Sequence, residues 1–263
     1  MILEFCSLFS GSSGNCIFAS AGDTKLIIDA GGTCKRIEAA LSLIGVSPKE
    51  LDGILVTHEH TDHIAGAGVM SRKFGVPVYA NDKTWDVMLP KLGAVDDKCR
   101  KVFTTGRIFG IKDIDIHPYL IPHDAAEPVG FCLMAGGKKA AVMTDLGYAE
   151  ESALKAVEGS DVLLIEANHD VEMLAAGSYP ARLKKRIRSE LGHLSNDAAA
   201  AALIRLAGRN VKNAVLGHLS GSNNSEKLAF NTVAARLSAA GVQPEDMRLH
   251  MAFRDRLGGY FRI

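Results

Sequence analysis

Residues 55–64, Leu-Val-Thr-His-Glu-His-Thr-Asp-His-Ile, constrain this chain more than any other stretch. The apolar run at 54–56 reads as a buried strand, and the polar cluster begins where that run stops. His58, His60, Asp62 and His63 follow, and then an apolar segment with helical spacing (Ile64, Val69, Met70, Phe74). Three imidazoles and a carboxylate crowded at the mouth of a strand are costly unless something unites them, and a divalent cation does. In an extended segment residues two apart share a side, so one ion can take both His58 and His60. Asp62 and His63 lie past the turn and can reach a second ion beside the first.

The rest of the chain supplies what such a loop needs around it. Its 263 residues suit one large domain, and no linker or low-complexity segment divides them, so residues 1–263 read as a single domain. Apolar residues make up 47%, and 30 basic residues balance 30 acidic ones, so any nucleic-acid binding must rest on a local patch. No apolar run approaches a membrane span, which predicts no membrane partner, and the N-terminus reads as a first strand, not a signal peptide. The cysteines (Cys6, Cys16, Cys34, Cys99, Cys132) are odd in number and show no metal-ligand spacing, which predicts reduced thiols and a cytoplasmic protein.

In chain order, strands at 2–9 and 15–20 flank the loop Ser-Gly-Ser-Ser-Gly-Asn, residues 10–15. That loop is either a hairpin turn or a rim where Ser12, Ser13 and Asn15 let a phosphate approach backbone N–H groups. A strand at 25–28 ends at Asp29, a turn residue or an acceptor for a metal-bound imidazole. A helix over 33–44 and a Ser-Pro-Lys-Glu capping box at 47–50 precede the metal loop. The following helix should run to Phe74, a strand should cover 76–80, and a helix from Asp82 should stop at Leu89, before Pro90. His117 sits in an alternating run and reads as structural, whereas His123 stands at the end of an apolar strand.

Strands over 129–134 and 139–143 form a hairpin whose second arm ends near Asp145, a lone carboxylate that asks for a partner. The next strand, 161–166, ends at Ala-Asn-His-Asp, where His169 is either an accessory phosphate or metal ligand or a hydrogen-bonder. Residues 179–190 carry Arg182, Lys184, Lys185, Arg186 and Arg188, a solvated helix face or a contact for a nucleic-acid backbone. Gly-His-Leu-Ser then occurs twice, with His193 and His218, each time before a helix. The predicted fold is α/β (α+β), two βα halves making a four-layer αββα sandwich with ionisable strand ends along one edge.

His-x-His-x-Asp-His after a strand, followed by His123, Asp145 and His218, resembles the metallo-β-lactamase superfamily over nearly the whole chain. The resemblance implies two metals, Zn²⁺ or Mn²⁺ with Fe²⁺ also admissible. His58, His60 and His123 would hold one, Asp62, His63 and His218 the other, and Asp145 would bridge them. True β-lactamases generally lack the bridging Asp, and glyoxalase-type thioesterases lack the histidine that His193 supplies. The intervals His123–Asp145 and Asp145–His218 are too short for the tRNA-gripping arm and the inserted domain of RNA-processing relatives. What remains is similar to the YycJ/WalJ group, associated with 5′-to-3′ exonuclease action on double-stranded DNA. Ala167 departs from the Ser usual in that group's Glu-Ser-Asn-His-Asp.

By that resemblance, two adjacent metals lower the pKa of a shared water toward neutrality and so supply the attacking hydroxide. Asp62 would orient it, and His193 would protonate the leaving oxygen as general acid. Arg182, Lys185 and Arg186 would meet flanking phosphates at DNA ends, with no device for reading bases. The rival readings are a small-molecule phosphodiesterase, a thioesterase or lactonase on the same metals, and a metal-stabilised binding protein. Oligomeric state has no signature in the sequence.

Overall fold

The computed structural model describes residues 1–263. The first part of the chain forms β1 (Leu3–Phe9), β2 (Cys16–Ala21), β3 (Thr24–Ile28), α1 (Cys34–Leu43), β4 (Gly53–Leu55), α2 (Thr61–Ile64), α3 (Ala67–Phe74), β5 (Val78–Ala80), α4 (Asp82–Leu92) and β6 (Arg100–Val102). Then come β7 (Phe109–Ile111), β8 (Ile114–Leu120), β9 (Val129–Ala135), β10 (Lys138–Met143), α5 (Glu151–Val157), β11 (Val162–Glu166), α6 (Val171–Ala176) and α7 (Ala181–Ile187). The chain closes with α8 (Asn196–Ala207), β12 (Asn213–Gly217), α9 (Glu226–Ala239), β13 (Arg248–Met251) and β14 (Tyr260–Arg262).

Two seven-stranded sheets result, in the orders β14-β1-β2-β3-β4-β5-β6 and β13-β12-β11-β10-β9-β8-β7. Side chains alternate across each strand, so each sheet presents two apolar faces. Leu26, Ile28 and Leu55 of one sheet meet Val142, Val162 and Leu164 of the other in a central core. Their neighbours Ile27 and Ile54 face α1, α3 and α4, while Leu163 and Ile165 face α5, α8 and α9. Three apolar layers therefore separate helix, sheet, sheet and helix, the expected αββα α/β sandwich. The last strand does not stay with its own half: β14 crosses over to pair with β1.

Several local expectations change. Pro90 does not stop α4, which runs on to Leu92. Proline in a last turn removes only one donor, and burial of Leu92 beside Trp85 and Met88 favours the extra residues. The single helix expected after the metal loop is two, broken at residues 65–66, where Gly66 N–H turns aside to donate to Ala30 O. The basic helix is shorter than expected and starts at Ala181, directly after Pro180. The capping box at Ser47 forms, on a 3₁₀ turn, and Ser195 and Ser225 cap α8 and α9.

Strands β3 and β4 run parallel, as do β10, β11 and β12, while β8 is antiparallel to β9 and so shares the direction of β10. Their C-terminal ends gather along one edge of the sandwich, where open α/β sheets place ligands. One glycine there admits no substitute: a Cβ on Gly31 would stand 1.6 Å from Asp62 O and 2.6 Å from Asn15 N. Gly31→Ala should lower stability by about 3 kcal/mol, the upper end for overpacking, in a denaturant titration; an unchanged midpoint would show the turn can yield.

Candidate metal centre

The strand ends bring the scattered residues together. His58 Nε2 lies 3.1 Å from His60 Nδ1, which lies 3.3 Å from His123 Nε2. Asp62 Oδ2 stands 3.5 Å from both His63 Nε2 and His218 Nε2. Asp145 lies between the two groups, with Oδ2 3.2 Å from His63 Nε2, Oδ1 3.3 Å from His218 Nε2 and 4.0 Å from His123 Nε2. The ligating atoms of each trio, and those of His58, His63 and Asp145, all lie within 4.8 Å of one another.

Each buried imidazole is aimed by its other nitrogen. His63 Nδ1–H donates to Asp29 Oδ2 at 2.7 Å, and His218 Nδ1–H to Glu166 Oε1 at 2.7 Å. His123 Nδ1–H donates to Gly192 O at 3.2 Å. Thr57 Oγ1 donates to Asp29 and accepts from His58 Nδ1–H at 3.0 Å. These bonds orient the rings and turn their Nε2 atoms toward the centre, the arrangement of imidazoles that ligate metals. Asp29, Asp145 and His218 reach inward from left-handed backbone, with φ of 59°, 60° and 55°. Such a conformation is uncommon outside glycine and persists only where surrounding structure imposes it.

The donor set fits cations better than anything else. Three imidazole nitrogens meet at hydrogen-bond distance, yet one shared proton cannot join all three. Asp145 Oδ2 is buried and, though it faces His63, has no hydrogen bond. Such an orphan oxygen is costly and asks for a positive partner. Burial alone would raise the carboxyls of Asp145 and Glu166. The imidazoles of His218 and His63 hold Asp145 well below the usual range, and those of His193 and His218 hold Glu166 at about 2. The pocket thus keeps its carboxylates ionised and its imidazoles converging, which is compatible with a dinuclear metal site.

His193 occupies a different position. Its Nδ1–H donates to Glu166 Oε1 at 2.8 Å and lies 3.6 Å from Asp145 Oδ1. Burial works against its charged form, but Glu166 and Asp145 outweigh that and raise its pKa. Its side chain is 14% exposed, whereas those of His123 and His218 are 1% exposed, so His193 opens toward solvent.

The expected substrate contacts divide. Ser12 and Ser13 are exposed on the rim, and Ser12 Oγ accepts from Asn168 Nδ2 at 3.3 Å. Asn15, expected beside them, is buried: its amide accepts from Gly11 N–H and Ser10 Oγ–H and lies 3.3 Å from His63 Nε2. It closes the loop and cannot meet a substrate there. His169 is likewise buried, its backbone bridged to Ser195 and its Nδ1 without a partner. Burial pushes its pKa down to about 4. Arg182 and Lys185 are exposed on α7, and Arg186 forms a bidentate pair with Asp124 at 2.5 and 2.8 Å. Asp124 Oδ1 in turn lies 3.5 Å from His123 Nε2, so the basic helix is tied to the centre. His117 stays on its strand beside Tyr119, away from the cluster.

Sequence reasoning missed Glu166, whose two oxygens bind His193, His218 and the N–H groups of Leu146 and Leu194. Its signal was available: an acid ending an apolar strand, as Asp29 does. Also missed was Glu59, whose Oε1 accepts from Ala126 N–H at 2.9 Å and ties the metal loop to the segment after His123.

Known proteins match this chain closely. The profile of the metallo-beta-lactamase superfamily matches residues 10–218. The protein named exodeoxyribonuclease WalJ of Streptococcus pneumoniae is 45% identical over 241 residues, covering 91% of this chain and 90% of that one. Exodeoxyribonuclease YycJ of Bacillus anthracis is 39% identical over 241 residues, covering 92% and 91%. Among solved structures, the metallo-beta-lactamase fold protein YhfI of Bacillus subtilis superposes with a TM-score of 0.74 at 18% identity, covering 100% of this chain and 99% of that one. The chain therefore belongs to the metallo-β-lactamase superfamily and, within it, to the family of WalJ and YycJ.

Proposed function

We propose that the protein is a dinuclear metal-dependent phosphodiesterase, an exonuclease that degrades double-stranded DNA from its ends in the 5′-to-3′ direction. The hydrolase reading is carried by one observation, the Asp145 carboxylate buried between two converging donor trios. The DNA reading is supported by the names of the relatives and by the exposed basic face of α7 next to His123.

His58, His60 and His123 would hold one ion, Asp62, His63 and His218 the other, and Asp145 would join both. Zinc suits the imidazoles, and the carboxylates admit Mn²⁺ or Fe²⁺. When bound, such ions polarise phosphoryl oxygens and acidify water toward neutrality. The chain's own residues do the rest. Asp62 orients the attacking water from the open side of the centre, where its side chain is 27% exposed. His193, held by Glu166, gives a proton to the leaving oxygen. Ser12, Ser13, Arg182, Lys185 and Arg186 meet the phosphate backbone, and base edges are left unread. Asp29 aims His63. Residues 1–263 act as one domain, since β14 completes the sheet that β1 belongs to. The five free cysteines favour the cytoplasm.

Elemental analysis of the purified protein should find close to two divalent ions per chain; a value near zero after expression in metal-supplemented medium rejects the assignment. Duplex DNA labelled at its 5′ ends should lose label as mononucleotide from the first minutes, with Zn²⁺ and Mn²⁺ compared. Release of label only in the last, short products would reverse the polarity. Turnover of a thioester in preference to bis-p-nitrophenyl phosphate would favour an esterase-type hydrolase instead.

A further inference from the structure

A cleft of about 450 Å³ opens beside Asp62, lined by Ser12, Ser13, Thr33, Arg36 and Thr61. Arg36 is half-buried there, its guanidinium 3.8 Å above the ring of Phe9 and one Nη donating to Arg254 O. It has no ion pair. Six of the other thirteen arginines, Arg186, Arg205, Arg209, Arg236, Arg256 and Arg262, each meet a carboxylate. A guanidinium always carries its charge and offers five donors in a rigid fork. Here one ring face and one carbonyl hold it still, and most of the fork has no protein acceptor. Partly desolvated, uncompensated charge is a cost that an anion in the cleft would offset.

The cleft also borders the donor cluster. Its far wall is Asp62, whose Oδ2 is turned inward, 3.5 Å from His63 and His218. Arg186 stands at the other donor trio, past His123. Arg36 thus shares a cleft with Asp62, and Arg186 is linked through Asp124 to His123. Successive phosphates of a duplex strand advance about 3.4 Å along its axis, so a neighbour of the scissile phosphate can fall in a cleft that Asp62 itself lines. Ser12 Oγ, already accepting from Asn168, keeps its O–H free to donate toward the cleft.

Resting on the nuclease reading above, we propose that Arg36, with Ser12 and Ser13, forms a subsite for a second phosphate of the same DNA strand, adjacent to the one cleaved. The test compares wild type with Arg36→Met, which keeps an unbranched stem over Phe9, and with Arg36→Lys. Substrates are duplex DNA with 5′-phosphate or 5′-hydroxyl ends, and bis-p-nitrophenyl phosphate, which has no second phosphate. Arg36→Met should lower the ratio of kcat/KM on DNA to that on bis-p-nitrophenyl phosphate about tenfold, through KM, and cut the salt slope by about one, as loss of one phosphate contact does. Lysine should restore the slope but only part of the affinity, because it lacks the fork. A loss confined to 5′-phosphorylated ends identifies the bound group as the terminal phosphate; equal loss on both ends places it within the strand. An unchanged ratio and salt slope, or an equal fall on DNA and on bis-p-nitrophenyl phosphate, overturns the subsite. Wild-type protein that hydrolyses bis-p-nitrophenyl phosphate but not DNA instead overturns the nuclease reading, independently of Arg36.

Discussion

On the dinuclear assignment, Asp145→Asn should lower divalent-ion content by at least one per chain and abolish nearly all turnover. The substitution keeps the shape of the side chain, and asparagine tolerates the left-handed backbone at φ 60° that alanine would strain. What it removes is negative charge at the one carboxylate that touches both donor groups, 3.2 Å from His63, 3.3 Å from His218 and 4.0 Å from His123. Metal-ion catalysis supplies several kcal/mol of charge stabilisation, so losing a shared anchor should cost on the order of 10³-fold in kcat. Metal content by elemental analysis and hydrolysis of bis-p-nitrophenyl phosphate read the two effects separately. Asp145→Ala should lower occupancy at least as far. Two ions retained with normal turnover in Asp145→Asn would refute the bridging role.

His193→Ala should separate chemistry from metal binding. Both ions should remain, because the ring's Nδ1–H is held by Glu166 at 2.8 Å, closer than Asp145 at 3.6 Å, and Glu166 keeps His218, Leu146 N–H and Leu194 N–H as partners. Turnover of DNA should fall by about 10²- to 10⁴-fold, the usual worth of a placed general acid. The loss should be far smaller on bis-p-nitrophenyl phosphate, whose p-nitrophenolate departs without a proton. That difference distinguishes an acid from a residue that merely supports the loop. If metal content falls together with activity, His193 is a ligand and the assignment is wrong.

The sequence made the His58–His63 loop legible because its donors are contiguous and fall where an apolar run ends. His123, Asp145 and His218 were legible as strand-end residues, but their meeting depends on the parallel order of β10, β11 and β12 and on the packing of two sheets, which periodicity alone does not encode. Glu166 escaped notice for the same reason: its partners His193 and His218 lie far along the chain. A loop of Ser and Gly reads as uniformly exposed, which puts Asn15 on the rim, whereas the approach of residues 31 and 62 buries its end. Local propensity alone makes Pro90 a stop, but the buried Leu92 beyond it favours another turn of helix.

The left-handed turns at Asp29, Asp145 and His218 carry a thermodynamic corollary. Left-handed backbone costs a non-glycine residue up to about 1–3 kcal/mol, less at Asp and His than at most, so the metal-free fold should hold some strain that unfolding releases. Ions that bind the folded form alone would oppose that recoil, and chelation should therefore lower the melting temperature as well as activity. Asp29→Gly would relax one bend but leave Thr57 and the His63 ring without their buried acceptor, so it should lower the melting temperature of the chelated protein further.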